Sequence, residues 1–192
     1  FYVSDIQQQA QYIKMFKDQG MDAVVLDTRL DVPYVSFLEA YSGGVRFERI
    51  DSAVSEMLKS DNEAEIDAES LENLFKEALK KDDLKLKVEN LKSDEVSAMI
   101  ELSEQSRRMQ EMSAMYGMDN RTFPSDETLV LNANNNVVKL LLDMKDERKD
   151  EAEMICRQVY DLAVMSHKPL SQEEMTEFIS RSNKIMELLA EK

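Results

Sequence analysis

The first fifty residues alternate short apolar runs with amphipathic stretches. Runs rich in aromatic and β-branched residues occur at 1–3, 23–26 and 45–50, whereas helical spacing of apolar residues occurs at 10–17 and 33–41. The run at 23–26 lies between two aspartates and predicts a short, buried strand. The order strand, helix, strand, helix, strand is typical of an α/β lobe with a mostly parallel sheet.

A second pattern begins near residue 71 and predicts an α+β domain. One face of its first helix carries the apolar residues Leu71, Leu74, Phe75, Ala78 and Leu79. Apolar and charged residues then alternate over 84–88, which indicates a half-exposed strand. Two further apolar runs, at 98–102 and 128–131, complete a predicted three-stranded sheet.

Asparagines separate the last predicted strand from a helix predicted over 137–145. Four of the five residues from 132 to 136 are asparagine. The short asparagine side chain forms hydrogen bonds with nearby backbone groups and is favoured in turns and at helix N-termini. We therefore expect a turn and a helix N-cap in this segment.

The segment 150–192 predicts two long helices in a hairpin. The first helix ends near His167, and a capping box of Ser171 and Glu174 opens the second. Each helix carries an apolar stripe wider than one partner helix can cover. Two copies related by a two-fold axis would bury both stripes in a dimeric four-helix bundle. The alternative is that the hairpin packs back onto the preceding sheet.

The predicted dimer interface consists of residues on these two stripes. The first helix contributes Ile155, Val159, Leu162 and Ala163, and the second contributes Phe178, Ile179, Ser182, Ile185, Met186 and Leu189. The second set follows a heptad pattern, which is typical of helices that pack side by side in bundles.

These patterns divide the chain into a small α/β lobe and a larger α+β domain, joined by an acidic linker. We place the lobe at 1–55, the linker at 56–70 and the domain at 71–192. Six acidic residues and no basic residue occur from 61 to 72, which favours a solvated linker over an acidic interaction segment. The lobe is small for an independent domain and does not begin with methionine, so we expect a fragment of a longer protein.

Composition narrows the possible partners. The 192 residues include 24 Lys and Arg against 39 Asp and Glu, a net charge of −15. Such a chain repels phosphate backbones, so we expect no nucleic-acid binding. No uncharged apolar run approaches the length of about 18 residues that a membrane helix needs, so we expect no membrane association either.

The sequence offers few residues for catalysis or metal binding. It contains one cysteine, Cys156, and one histidine, His167. Cys156 lies on an apolar helix face, where thiols are usually inert, and these two residues cannot form a common zinc site. The glycine pair Gly43-Gly44 lacks the lysine and hydroxyl residue of a phosphate-binding loop. We therefore predict no catalytic, cofactor or metal residue here, against the rival interpretation of an enzyme fragment.

Methionine is unusually concentrated in one segment. Five of the 13 methionines fall between residues 99 and 118, in and near a helix predicted over 103–116. Met109, Met112 and Tyr116 share a helix face, which Met115 flanks. This face is either part of the ordinary core or an exposed contact surface. Methionine suits a contact surface because its flexible thioether side chain can contact many partners weakly.

The order of these elements resembles the ninety-kilodalton heat-shock chaperones in their bacterial form. Similar motifs are Phe1-Tyr2-Val3, Gly20 to Leu26 and Asp31 to Val35, then Ser106 to Met112, Leu129 to Asn132, Asn135 to Lys139, Val159 to Ala163 and Phe178 to Arg181. Each motif is weak alone, but their number, order and spacing are specific. The resemblance covers essentially the whole chain, as the last lobe of the family's middle domain followed by its C-terminal domain.

The resemblance implies a function that the residue patterns alone do not give. It implies a cytoplasmic, homodimeric, ATP-dependent chaperone whose C-terminal domain dimerises and contacts partly folded client proteins. ATP and magnesium are expected in an N-terminal domain outside this chain, which itself is not an enzyme. By position in the family pattern, the client-binding residues are Met109, Met112, Met115 and Tyr116. The rival is a monomeric scaffold domain with the methionine-rich helix buried as core.

Overall fold

The computed structural model describes residues 1–28, 30–52, 58–60, 66–103, 106, 109 and 126–191. The chain forms two compact units. One comprises Phe1–Lys59 with Glu101–Thr128, and the other comprises Ser60–Ile100 with Leu129–Lys192. The described residues form both helices and strands in each part of the chain, which confirms the predicted mixed class. Among them, no helix is both long and apolar enough to cross a bilayer.

The first unit alternates strands and helices as predicted. Its elements are β1 (Tyr2–Val3), α1 (Ala10–Asp18), β2 (Val24–Val25) and α2 (Asp31–Ser42). β2 runs parallel to β1, with Tyr2 opposite Val24. On the other side of β1, Arg49 forms a parallel bridge with Tyr2. β1 is therefore the central strand of a small parallel arrangement.

Helix α1 forms because one of its faces is apolar. Tyr12, Met15 and Phe16 are buried on that face, and the ring of Phe16 meets that of Phe1 edge to face, with centroids 5.2 Å apart. The chain leaves the helix through Gly20, whose φ of +70° lies in the left-handed region that glycine adopts without strain.

The predicted burial of the strand at 23–26 is wrong. Val24 and Val25 form a strand, but their side chains are 54% and 48% exposed. The reason is the position of β2 at the edge of the sheet, where β1 is the single strand that pairs with it among the described residues. An apolar run makes burial of a strand favourable. Whether the strand is buried depends on how many other elements pack against it.

The remaining elements form the predicted three-stranded sheet with four helices. They are α3 (Ala68–Leu79), β3 (Lys85–Glu89), β4 (Ala98–Leu102), β5 (Glu127–Asn132), α4 (Asn136–Met144), α5 (Lys149–Met165) and α6 (Gln172–Ala190). The strand order is β3-β5-β4, so β5 is central. Residues of β3 alternate between exposed and half-buried, as the sequence predicts.

Helix α3 begins inside the stretch predicted as linker. Its N-cap is Asp67, whose carboxylate accepts a hydrogen bond of 3.0 Å from the backbone N–H of Ser70. The Ser70 hydroxyl also donates to this carboxylate, and that bond, together with the one from the N–H, lowers the pKa of Asp67. The apolar face of α3 is buried as predicted, with Leu71, Leu74 and Phe75 at its centre.

The core of the second unit lies between α3, the sheet, α4 and α5. Its buried apolar side chains are Leu71, Leu74, Phe75, Ala78, Ala98, Ile100, Leu129, Leu131, Val138, Leu141, Met144, Ala152, Cys156, Val159, Ala163 and Val164. α5 packs against both α3 and α4. The last residue of this core along the chain is Val164. No residue of α6 is buried, so α6 lies outside the core.

Asparagines build the connection from β5 to α4. Asn135 is the N-cap of α4, and its side-chain oxygen accepts a hydrogen bond of 2.9 Å from the N–H of Val137. This confirms the predicted N-cap. The Asn135 amide group also donates to the carbonyl oxygen of Asp94, at 2.6 Å.

Asn132 has a role that the sequence does not reveal. Its side chain is fully buried and forms four hydrogen bonds. Its oxygen accepts from the backbone N–H groups of Leu91 (3.2 Å) and Asn134 (3.0 Å), and its nitrogen donates to the carbonyls of Ser93 (2.7 Å) and Val96 (2.8 Å). Asn132 thus fastens the β3–β4 connection to the end of β5.

Candidate interaction surface of the terminal hairpin

Helix α6 begins at the predicted capping box. The Ser171 side chain accepts a hydrogen bond of 3.3 Å from the N–H of Glu174, and the Glu174 carboxylate accepts one of 2.8 Å from the N–H of Ser171. The hydrogen bond from the Ser171 backbone N–H to the carboxylate lowers the pKa of Glu174, and the Ser171 hydroxyl lowers it further. The two hydrogen bonds of the capping box satisfy backbone donors that the first turn of a helix otherwise leaves unpaired.

The apolar side of α6 is wider than α5 covers. None of the 19 residues of α6 is buried. The side facing α5 is half-buried and includes Phe178, Ser182 and Ile185. Beside it, three large apolar side chains are exposed to 53%, 58% and 68%, namely Ile179, Met186 and Leu189.

These exposed side chains share one face of the helix. Ile179, Met186 and Leu189 are spaced by seven and three residues, which places them in one row, with the half-buried Ser182 at its edge. Leu162 of α5, which is 46% exposed, adds an apolar side chain from the first helix of the hairpin. The hairpin therefore presents an apolar surface that no described residue covers.

A polar clamp of four side chains joins α5 to α6. Gln158 donates to the Ser182 hydroxyl at 3.0 Å and accepts from Nε of Arg181 at 2.9 Å. The Arg181 guanidinium also forms an ion pair with Asp161, and both side chains are largely shielded from solvent. These directional bonds fix how the two helices face each other.

Asp161 is the member of the polar clamp whose charge is disfavoured by burial. Burial raises the pKa of its carboxyl, while the neighbouring Arg181 guanidinium lowers it, and burial has the larger effect. A shielded carboxylate that keeps its charge needs its partner, because removing the cation leaves an uncompensated charge. Arg181 therefore positions α6 and compensates Asp161 at the same time.

The opposite side of α5 belongs to the core of the second unit. Val159 and Ala163 are 4% and 1% exposed, because α3 and α4 cover that side. These two predicted interface residues are not accessible to a second chain. Among the described residues, α5 packs onto the preceding elements, as the second alternative predicts, whereas no residue of α6 is buried. Pairing of two hairpins stays a prediction.

Cys156 lies on the same buried side. Desolvation raises the pKa of its thiol to about 12. The thiol is therefore protonated at neutral pH and is a packing group, as its place on an apolar helix face predicts.

Helix α5 is held to α3 by polar contacts at the edge of the core. Arg157 donates from Nε to the carbonyl oxygen of Ala78 at 2.7 Å, in the last turn of α3. Lys81 donates to the Tyr160 hydroxyl at 2.8 Å and lies 4.4 Å from the centre of its ring. These contacts make α5 a fixed support on which α6 rests.

The predicted client-binding residues are only partly described. Met109 is helical, and its side chain is 41% exposed. Met112, Met115 and Tyr116 lie outside the described residues. Met99, the first methionine of the same run, is buried in β4.

The described residues form no cluster of three or more side chains that could hold a metal ion. His167 is half-buried just beyond the end of α5, where its backbone N–H donates to the carbonyl oxygen of Val164 at 2.8 Å.

Two groups of functional interest were not predicted from the sequence. These are the polar clamp in the hairpin and the fully buried Asn132. The sequence signal for the polar clamp is weak, because Asp161 and Arg181 lie beside the apolar stripes and not on them. A charged residue that becomes shielded from solvent commonly has a partner of opposite charge.

The proteins that match this chain are molecular chaperones. The "Chaperone protein htpG" of Bacteroides fragilis strain 638R is 32% identical over 164 residues, covering 78% of this chain and 23% of that protein. The "Chaperone protein HtpG" of Bacteroides thetaiotaomicron is 30% identical over 160 residues, covering 76% of this chain and 23% of that protein. No protein-family model matches the chain.

These matches confirm the resemblance to the ninety-kilodalton heat-shock chaperones. The chain is related to the bacterial HtpG proteins along most of its own length. It spans about a quarter of the length of these relatives, since the aligned segment covers 23% of each.

Proposed function

We propose that this chain is a chaperone domain that forms a homodimer through its terminal hairpin. The observation that carries the proposal is the exposed apolar row on α6, formed by Ile179, Met186 and Leu189 and extended by Leu162. A 19-residue helix without a buried residue is poorly stabilised within one chain, because most helix stability in proteins comes from packing of the apolar face.

Pairing of two hairpins would bury these rows against each other. A two-fold axis brings the same surface of each copy into contact, so an apolar row on one chain meets its equivalent on the other. The polar clamp supports this arrangement, because it holds α6 at a fixed orientation on α5 before a second copy binds. In a longer parent protein, such a dimer would hold two arms at high effective concentration.

Sedimentation equilibrium of the intact chain tests dimerisation. At micromolar concentration we expect twice the chain mass of 22.2 kDa. Replacing Met186 and Leu189 with Glu places charges in the proposed interface, so we expect the monomer mass. Any fall in helix content by circular dichroism should not exceed the 19 residues of α6. The matched control is Leu140→Glu on α4, because Leu140 is 52% exposed and lies outside the hairpin.

Two results would contradict dimerisation through the hairpin. A monomer from the intact chain at about 100 μM would overturn it, since biological dimers of this kind are expected to form well below that concentration. An equal loss of dimer in the Leu140→Glu variant would show that the hairpin is not the specific interface.

We also propose that the methionine-rich segment contacts partly folded proteins. The described residue that favours this is Met109, whose side chain is 41% exposed in a helical segment. Flexible, polarisable thioethers suit weak contacts with varied apolar partners. The relationship to proteins named chaperones supports a role of this class.

Suppression of aggregation of an unfolded model protein tests client contact. Replacing Met109, Met112 and Met115 with Asn should weaken the suppression and leave the melting temperature nearly unchanged. The control Val45→Asn changes an equally exposed apolar residue elsewhere. A large fall in melting temperature would instead favour the monomeric scaffold with these residues in its core.

The proposed parent protein is a cytoplasmic, ATP-dependent chaperone. We place its binding of ATP and magnesium in the part of the relatives that this chain does not match. The purified chain should then show no ATP hydrolysis above background, and a measurable turnover would contradict this assignment.

A further inference from the structure

One edge of strand β2 is not paired with any residue that the structure describes. Its inner side pairs with β1, since the N–H of Val24 donates to the carbonyl of Phe1 at 3.1 Å and that of Leu26 donates to the carbonyl of Val3 at 2.8 Å. Backbone groups of successive strand residues point to opposite edges. The N–H and C=O of Val25 therefore point outward, where no described residue bonds to them.

An apolar groove lies beside this open edge. Its volume is about 180 Å³. Its lining is mostly apolar and includes Ile6, Ile13 and Phe16, and two charged residues, Lys17 and Asp22, also line it. Ile6 and Val25 are also exposed, to 54% and 48%. Pockets for whole small molecules are larger, about 300 Å³ or more. The groove is instead the right size for one large apolar side chain.

Two aspartates flank β2. Asp22 and Asp27 are exposed and lie two residues before and two residues after the strand. Nearby cations are Lys17, which lines the groove, and Lys14, which pairs with Asp18 at 3.0 Å. A chain with a net charge of −15 adds no long-range attraction for acidic partners. The two ends of β2 are thus complementary to basic residues.

We propose that β2 binds an extended apolar peptide segment flanked by basic residues, which adds as a further strand. The backbone of Val25 supplies the hydrogen bonds, the groove receives one apolar side chain, and Asp22 and Asp27 attract the flanking cations. This is the strand-addition mode, in which backbone bonds give affinity and a side-chain pocket gives selectivity. The proposal is independent of hairpin pairing, so either can fail without the other.

Amide hydrogen exchange with a defined peptide tests the backbone contact. The probe is the capped peptide Lys-Val-Phe-Val-Lys. We expect binding to slow exchange at Val25, whereas Val24 and Leu26 should change little because their N–H groups are already bonded. A backbone N-methylated form of the peptide cannot form the same ladder, so its affinity should fall about tenfold or more.

Variants test the groove and the charges separately. Ile6→Ser should weaken binding about fivefold or more by removing apolar surface at the groove, whereas the matched control Val45→Ser should not, although Val45 is 48% exposed. Replacing Asp22 and Asp27 with Asn should weaken binding at low salt and have little effect at about 1 M salt.

Three outcomes would overturn the proposal. The first is no detectable binding of the peptide by the intact chain. The second is binding without slower exchange at Val25, which would mean that the strand edge is not used. The third is equal binding of the peptide Glu-Val-Phe-Val-Glu, which would remove the role of Asp22 and Asp27.

Discussion

Replacing Asn132 with Ala should destabilise the second unit strongly. The substitution removes four hydrogen bonds from a fully buried side chain. Two of the groups left behind, the N–H of Leu91 and the C=O of Val96, lie where water does not reach. Each buried polar group without a partner costs about 1–3 kcal/mol. The hydrogen bonds with Ser93 and Asn134 are only partly buried, so their loss costs less. The expected total cost is about 3–6 kcal/mol.

Such a loss is a large part of the stability of a typical domain, which is about 5–15 kcal/mol. Urea unfolding followed by circular dichroism at 222 nm measures it, because the chain has no tryptophan for fluorescence. The control is Asn134→Ala, which removes one side-chain hydrogen bond, to the carbonyl of Leu91 at 2.7 Å. That control should cost about 1 kcal/mol.

Asn132→Asp provides a second, shape-conserving test. The new carboxylate keeps the accepting oxygen but turns a second oxygen toward the carbonyls of Ser93 and Val96. Burial and these carbonyls should raise the pKa of the new carboxyl above its usual value. The destabilisation should then be greatest at neutral pH and decrease as the pH falls through that raised pKa.

Equal costs in free energy of unfolding for Asn132→Ala and Asn134→Ala would refute the reasoning about the buried hydrogen bonds.

Three further predictions concern the hairpin. Ser171→Ala should cost about 1 kcal/mol at pH 7. Part of that cost is the interaction of the Ser171 hydroxyl with the Glu174 carboxylate, which helps to lower the pKa of Glu174. This part is present above the usual value of 4.5 and disappears as the pH falls through the lowered pKa, so urea unfolding should give a smaller cost at pH 3 than at pH 7, and an equal cost at the two pH values would contradict this. Arg181→Met should cost about 3 kcal/mol by leaving Asp161 unpaired, and adding Asp161→Leu should recover most of it; a further loss in the double variant would contradict the charge argument. Cys156 should react with a thiol reagent only in denaturant, since the pKa of its buried thiol is about 12; rapid reaction of the native chain would refute this.

Local features of the fold were predictable from the sequence because their causes are local. The capping box of Ser171 and Glu174 and the N-cap Asn135 each involve residues within three positions. Helix α3 and strand β3 follow from periodicities of 3.6 and 2, which act within one element. The start of α3 at Ala68 was missed because acidic residues suggested a linker, although Asp67 among them is the cap.

Features that depend on distant residues were not predictable. Asn132 bonds to groups about forty positions earlier in the chain, and no spacing rule connects them. The exposure of Val24 and Val25 depends on how many elements neighbour β2, which the run itself does not encode. The burial of Val159 depends on which side of α5 meets α3 and α4.

The separation of α6 from the core has an evolutionary consequence. Since the last core residue is Val164 and no residue of α6 is buried, substitutions on the exposed row of α6 leave the interior packing unchanged. If two hairpins pair as proposed, selection can alter the strength of pairing, and the homologous chain that is paired with, without first compensating for a loss of folding stability. Paralogues that must avoid exchanging subunits could diverge along this helix alone.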